Sequence, residues 1–390
     1  MAPVRRSSLY EAPTPWQRVA RFFGAFDGPL MFGIAALAAI GLVVMYSAGY
    51  DHGTRFVDHG RNMLVALAVL LVVAHVPPQK LQALAVPLYV LGVVLLVATL
   101  MFGITRKGAT RWLDIGITVI QPSEILKIAV PLMLAWWFQK REGRRGVSDF
   151  VVGALLLAVP FLLVAKQPDL GTALLILFAG LAVIFFAGLS WRLVVPVVVA
   201  VLAGIVAIVV AEPYICKAGV DWPLLRQYQQ IRVCTLLDPT QDPLGKGFHI
   251  LQGQIAIGSG GLGGKGFMQG TQTHLEFIPE RTTDFIFAAL SEEFGLAGVL
   301  VLMTAYVFLI FRGLMIAADG PTTFSRLLAG AVTMSVFTYA FVNMGMVSGI
   351  LPVVGVPLPF VSYGGTAMVT LGLGLGILMS IARSRRLMLS

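Results

Sequence analysis

Charge is scarce in this sequence. Of 390 residues, only 12% are Asp, Glu, Lys or Arg, about half the share in an ordinary soluble domain, which argues against a soluble enzyme. Cysteine is scarcer: Cys216 and Cys234 are the only two, too few for a disulfide framework or a cysteine-based zinc site. No Ser-x-x-Lys occurs, so the acylation motif of penicillin-binding enzymes is missing. No Asp-x-Asp pair is present to hold a nucleotide-sugar metal. The five histidines, at 52, 59, 75, 249 and 274, show no close zinc spacing, and His52 and His59 read as solvated loop residues. No ten-residue alternating pattern suggests a membrane β-strand.

Apolar residues are abundant: 57% of the chain, with a mean hydropathy of +0.86. Intrinsic disorder is thereby excluded. A helix needs about 20 predominantly apolar residues to cross a bilayer, and on that scale the sequence predicts ten spans. They fall at 29–47, 61–76, 83–103, 121–138, 150–165, 171–189, 193–212, 285–311, 326–347 and 366–382. Backbone polar groups cannot stay unpaired in lipid, so the spans must be helical. The fold class expected is all-α, a polytopic membrane helix bundle of about ten helices. A tail over 1–28 precedes the bundle at 29–382, a large loop over 213–284 separates helices seven and eight, and a tail over 383–390 follows.

Lysine and arginine in short loops set the orientation. With the N-terminus inside, 15 fall on the cytoplasmic side, including Lys140, Arg141, Arg144 and Arg145, against 6 in the short outer loops. Both termini are therefore expected in the cytoplasm and the large loop outside. The net charge of +9 is thus mostly a topology signal, and no nucleic-acid partner is expected. Trp16 to Phe26 sets Trp16, Val19, Phe23 and Phe26 near one helical face, either as a helix on the inner leaflet or as a plain tether. Its polar N-terminal region is too long for a cleaved signal peptide.

Polar residues at membrane depth are candidates for function. One cluster holds Arg111-Trp112 and then Gln121-Pro-Ser123-Glu124, with Lys127 one turn on. Glu124 and Lys127 are three apart and share a helical face. They read either as a structural ion pair or as the wall of a polar cavity, with Arg111 as an anion ligand. Lys166-Gln-Pro-Asp169-Leu-Gly-Thr172 forms a second cluster, where Asp169 suits a helix cap, a site wall, or both. The large loop carries Leu237-Asp-Pro239, Asp242-Pro243 and a glycine-rich run. Within that run Gly258-Ser-Gly-Gly-Leu-Gly263 matches GxGxxG formally, but no strand–helix unit surrounds it, and a tightly turned loop is expected.

Pro279-Glu280-Arg281-Thr-Thr-Asp284 then leads back into the membrane. Asp284 at that depth reads as a general base or as a plain helix N-cap. Glu292 and Glu293 lie two turns deeper, pairing within the bundle or coupling protons. Asn343-Met-Gly345 and the Pro/Gly-dense stretch from Gly349 to Ser362-Tyr-Gly-Gly365 imply irregular backbone shielded from lipid. Gly372 and Gly376 suit close helix packing. Cys216 and Cys234 share the large loop, where a disulfide persists if the loop is periplasmic; two free thiols are the other reading.

Together these motifs resemble the SEDS family of cell-wall proteins, and the RodA elongation branch within it. The resemblance rests on Arg111-Trp, Gln121-Pro-Ser-Glu124 with Lys127, Gln167-Pro-Asp-Leu-Gly-Thr172 and Leu237-Asp-Pro. It continues in Pro279-Glu-Arg-Thr-Thr-Asp284, Asn343-Met-Gly and Leu358-Pro-Phe-Val-Ser-Tyr-Gly-Gly365. The motifs run in family order over roughly 40–385. The departures are slight: Gly253 and Thr366 stand where serine is commoner.

The resemblance implies a peptidoglycan glycosyltransferase that polymerises lipid II on the outer face of the bacterial cytoplasmic membrane. It implies Asp284 as the catalytic base on an acceptor 4-hydroxyl. Substrate-binding candidates are Arg111, Gln121, Ser123, Glu124, Lys127, Lys166, Asp169, Glu280, Arg281 and Ser362. A divalent cation, Mg or Mn, is implied by the family without a legible ligand set, and no organic cofactor is. The implied partner is a class B penicillin-binding protein, which would supply the acylating serine this chain lacks. Two rival readings are a lipid-linked precursor flippase, which fits the bundle and its buried charges, and a non-catalytic scaffold.

Overall fold

The computed structural model describes residues 26–389 apart from 52, 107–108, 115, 117–118, 218–219, 221, 223–226, 242–244 and 279. The interfacial helix expected from Trp16, save Phe26, lies outside the described residues, as do Asp242-Pro243, Pro279 and His52. In chain order the elements begin with α1 (Gly28–Ala48), α2 (Arg55–Val73) and α3 (Pro78–Phe102). Three short strands follow, β1 (Ile104–Arg106), β2 (Ala109–Asp114) and β3 (Val119–Ile120). Next come α4 (Pro122–Lys140), α5 (Val147–Lys166), α6 (Leu170–Phe186) and α7 (Trp191–Ile215). The large loop contributes α8 (Gln227–Leu237), α9 (Lys246–Gly260) and the single turn α10 (Thr271–His274). The chain closes with α11 (Ile286–Ala318), α12 (Thr323–Val347) and α13 (Gly365–Leu389).

Each predicted span overlaps one of these long helices. Eight are long and apolar enough by themselves to cross a membrane. The other two are α6, only 17 residues long, and α4, whose first turns carry Glu124 and Lys127. The chain is a polytopic all-α membrane protein. Among the described residues the strands are confined to the antiparallel sheet β1-β2-β3, which fills the α3–α4 connection and was not foreseen in the sequence.

Helices α12 and α13 form the centre, with 72% of each apolar window buried. On α13, Gly372 and Gly376 admit α2 as expected: a Cβ at Gly372 would stand 2.5 Å from the Ala66 carbonyl oxygen, and one at Gly376 2.8 Å from that of Leu70. Helix α7 lies at the other extreme, with no buried residue. Its C-terminal neighbour Cys216 is bonded to Cys234 of α8, which settles the two readings of the cysteines in favour of the disulfide. His59 corrects the sequence reading. It sits inside α2 and is fully buried, with neither ring nitrogen hydrogen-bonded. The hydropathy window began at residue 61, whereas the helix begins six residues earlier, at Arg55.

The glycine-rich run has a specific job. Helix α11 is broken at Gly295, whose φ of +62° is open to glycine and strained for side-chain-bearing residues. The run after α9 docks into that break backbone to backbone. The amides of Lys265 and Gly266 donate to the Glu292 and Glu293 carbonyls at 3.0 Å each, while the Leu296 and Ala297 amides donate to Gly261 and Leu262.

The two glutamates are paired, mostly with the large loop rather than within the bundle. Glu292, wholly buried, accepts from Lys265 Nζ at 2.7 Å, the Gln272 amide at 2.8 Å and the Thr273 amide at 3.1 Å. Glu293 accepts from the Ser47 hydroxyl at 2.5 Å and faces His274 Nε2 at 3.3 Å. The loop is thereby anchored on the first turns of α11.

Candidate active site

Asp284 lies in the turn just before α11. That helix begins at Ile286, with Phe285 in the capping position and no side-chain cap bond, so the capping role does not fall to Asp284. The half-buried carboxylate instead faces Gly355: a Cβ there would stand 3.3 Å from Asp284 Oδ2.

Three ties hold the backbone of this turn. The Tyr363 amide donates to the Thr282 carbonyl at 2.8 Å. The Ser362 hydroxyl donates to the Thr283 carbonyl at 2.6 Å and accepts from the Leu358 amide at 2.7 Å. Asn343 Nδ2 donates to the Asp284 carbonyl at 2.9 Å and to that of Val356 at 2.7 Å. Three consecutive residues are thus fixed by α12 and by the Pro/Gly-dense loop after it. That loop is the shielded irregular backbone expected from its composition.

A cation stands beside this strip. Arg55, at the start of α2, donates from Nη1 to the Thr282 hydroxyl at 3.1 Å, and its guanidinium lies 4.8 Å above the Tyr363 ring centroid. In the sequence Arg55 was one loop charge among several. Its position at a span entrance is the only local signal it carries.

Other polar groups gather at the same end of the bundle. Lys127 Nζ donates to Glu124 Oε1 at 2.6 Å, and the Thr370 hydroxyl donates to Glu124 Oε2 at 2.9 Å. Lys127 also lies 5.4 Å from the Tyr339 ring centroid and lines a narrow cavity of about 30 Å³ with Tyr339 and Thr370. The ion pair therefore exists and borders a cavity, so the structural and site-wall readings are compatible.

Arg111, on β2, donates to the Pro168 carbonyl at 2.6 Å and approaches Asp169 at 3.6 Å. Gln121 Nε2 donates to the same carboxylate at 3.1 Å. Asp169 also caps α6, accepting from the Thr172 amide at 3.3 Å, so the cap and the contacts to Arg111 and Gln121 coexist on one carboxylate. The residues at 354–356 link this group to the first. The Val354 carbonyl lies where a Cβ on Gly171 would be only 2.7 Å away; Gly355 faces Asp284; and Val356 accepts from Asn343.

Five candidates sit differently. Arg281 is buried and turned away, donating from Nε to the Ala48 carbonyl at 3.0 Å and from Nη2 to Asp51; it ties the turn to the α1–α2 loop. The Ser362 hydroxyl is committed to backbone. Glu280 is exposed and accepts from the Thr283 hydroxyl at 2.7 Å. Lys166 is exposed in the last turn of α5. Ser123 is buried, with its hydroxyl unpaired.

The donor set does not fit a cation held by protein ligands. Among the described residues, no group of three His, Cys, Asp or Glu side chains converges. What the region offers is the Asp284 carboxylate in a fixed turn with Arg55 beside that turn, and, at the same end of the bundle, Lys127 paired with Glu124 and Arg111 close to Asp169. Such a site can accept a proton and stabilise a leaving anion.

Fold and site together define a multi-pass membrane protein with a carboxylate-and-cation site at one end of its bundle. More particularly, the chain belongs to the FtsW, RodA and SpoVE family of cell cycle proteins, whose family model matches residues 29–387. It is 48% identical over 360 residues to the peptidoglycan glycosyltransferase MrdB of Escherichia coli K12, covering 92% of this chain and 94% of that one. A probable peptidoglycan glycosyltransferase FtsW of Geobacter metallireducens is 32% identical over 371 residues, covering 92% and 94%.

Among solved structures, a chain of a peptidoglycan synthase complex that coordinates polymerization and crosslinking superposes with a TM-score of 0.75 at 32% identity. The match covers 92% of this chain and 98% of that one. The rod shape determining protein RodA of Thermus thermophilus gives 0.66 at 28% identity, covering 92% and 97%.

Proposed function

We propose that this protein is a peptidoglycan glycosyltransferase that polymerises lipid II on the outer face of the bacterial cytoplasmic membrane, with both termini inside. The relatives' activity supports the reaction, and the excess of lysine and arginine in the loops of one side supports the orientation. The observation that carries the assignment is the immobilised Asp284 turn, tied at Thr282, Thr283 and Asp284 by Tyr363, Ser362 and Asn343.

Asp284 takes the proton from the acceptor sugar's 4-hydroxyl. That oxygen attacks the anomeric carbon of the donor, and the bond from this carbon to the lipid diphosphate breaks. The diphosphate leaves with the electron pair, and the configuration inverts. Holding the base in a rigid turn removes the reorganisation that a mobile carboxylate would require. The basic groups of Arg111 and Lys127 offset the leaving charge, with Arg55 beside the base.

A class B penicillin-binding protein is the partner we assign, in line with the synthase complex whose chain shares this fold. The test is polymerisation of lipid II by the purified protein together with that partner. Wild type should yield glycan strands, and Asp284→Asn should yield none while keeping fold and partner binding. Strands at wild-type yield from the mutant would overturn the assignment of the base. Lipid translocation in liposomes without polymer would overturn the reaction itself.

A further inference from the structure

The end of the bundle opposite Asp284 carries a second, unassigned cavity. There Asp27, just before α1, is ion-paired with Arg312 near the end of α11, and Arg385 of α13 with Asp319. This is the end of the described chain termini. At the same end the α4–α5 turn meets the start of α12, where the Thr323 hydroxyl donates to the Glu142 carboxylate. Between them lies a cavity of about 470 Å³ lined by Arg145, Arg326, Glu142, Thr323, Phe186 and Leu327.

Its charge and its depth both point to one kind of ligand. Two guanidinium groups face a single carboxylate, and that carboxylate is already engaged by a hydroxyl. Arg145 gives one donor, Nη1, to the Ala187 carbonyl at the end of α6 at 2.7 Å. Arg326 is exposed, its stem lying along Gly320. Just before the α4–α5 turn, Trp136 and Trp137 lie under Lys140 and Arg141, with cation-to-ring distances of 5.1 and 4.9 Å. Tryptophans paired with basic residues at a helix end mark headgroup depth. Below the cavity, α6 presents Phe186, Leu181 and Phe178, each about 40% exposed or more, an apolar wall against which acyl chains can lie.

We propose that this cavity binds the phosphate of an anionic phospholipid, with Arg145 and Arg326 as its ligands and the outer face of α6 as the seat of its chains. Basic pockets between membrane helices at headgroup depth hold anionic lipids in this way. Arginine suits the task because its planar fork matches phosphate oxygens. The apolar wall distinguishes a lipid from free phosphate, which would gain nothing from Phe186. The site is independent of the glycosyltransferase reading.

Native mass spectrometry of the intact detergent-purified protein tests it, with phosphatidylglycerol and phosphatidylcholine as probes and inorganic phosphate as competitor. Wild type should retain phosphatidylglycerol in preference to phosphatidylcholine and keep it in millimolar phosphate. Arg145→Gln with Arg326→Gln should cut retention by about tenfold or more, whereas Arg144→Gln, exposed and outside the cavity, should not. Undiminished retention by the double variant would overturn the proposal. So would equal retention of phosphatidylcholine, or displacement by free phosphate. If the double variant fails to fold, Arg326→Gln alone decides: its side chain is exposed, so the fold is spared, and unchanged retention would count against the site.

Discussion

Gly355 stands against Asp284 with a backbone φ of +74°, and a methyl group there would lie 3.3 Å from the Asp284 carboxylate oxygen. The glycine is required twice, by its backbone conformation and by the space beside the proposed base. Gly355→Ala should cost about 1–2 kcal/mol of strain and push the carboxylate from its position. We expect lipid II polymerisation to fall about tenfold or more while the protein still purifies folded. Wild-type turnover would show that the contact does not set the carboxylate's position.

Asn343 is the second device at the same place. Its amide donates to two carbonyls from distant parts of the chain, Asp284 and Val356. Asn343→Ala strips both of their partner, at about 1–3 kcal/mol for each buried group left unpaired. Thermal unfolding in detergent should show the lower stability. Turnover should fall further than the unfolded fraction explains, because the turn beneath the base loosens.

Lys127→Ala separates the two readings of the Glu124–Lys127 pair. If the lysine meets the donor's diphosphate, KM for lipid II should rise about tenfold or more, a loss of roughly 1.4 kcal/mol or more of binding. A purely structural pair would show lower thermal stability with KM unmoved. The double change Glu124→Gln with Lys127→Met would then restore that stability, because no buried charge is left alone.

The Lys265–Glu292 bond, at 2.7 Å with the carboxylate wholly buried, anchors the glycine-rich loop in the α11 break. Lys265→Ala leaves that charge without its counter-ion, which costs about 3–5 kcal/mol for a buried pair. Limited proteolysis should then cut between Gly261 and Gly270 faster than in wild type. An unchanged cleavage pattern would mean that the backbone bonds hold the loop by themselves.

The Cys216–Cys234 bond closes a sequence separation of 18. In the chain-entropy picture such a closure contributes about 3 kcal/mol. Mass mapping under non-reducing conditions should find no free thiol. Replacing both cysteines by serine should speed proteolysis around α8, since α7 contributes no buried residue to hold that end.

The spans were legible because crossing a bilayer demands about twenty apolar residues in a row, a condition each segment meets or fails alone. α4 and α6 were found by hydropathy and proved the least apolar and the shortest of the ten. His59 was misplaced because helix α2 starts before its hydropathy rises, and the β-sheet before α4 is too short for its strands to show a period.

At the site, the sequence alone determined which residues are costly in a membrane and hence which motifs to watch: Asp284, Glu124 with Lys127, and Arg111 with Asp169. It did not determine what each polar group is spent on. Arg281 and Asp284 sit three residues apart in one motif, yet Arg281 ties down the α1–α2 loop while Asp284 faces Gly355. Arg55 carried no motif and stands beside the proposed base. Those choices depend on partners more than 50 residues away, such as Asn343 for Asp284 and Asp51 for Arg281. Side-chain direction in an irregular turn has no period to read. It is fixed only when the helices pack and the buried backbone groups find their partners, and that is what the tertiary structure decided.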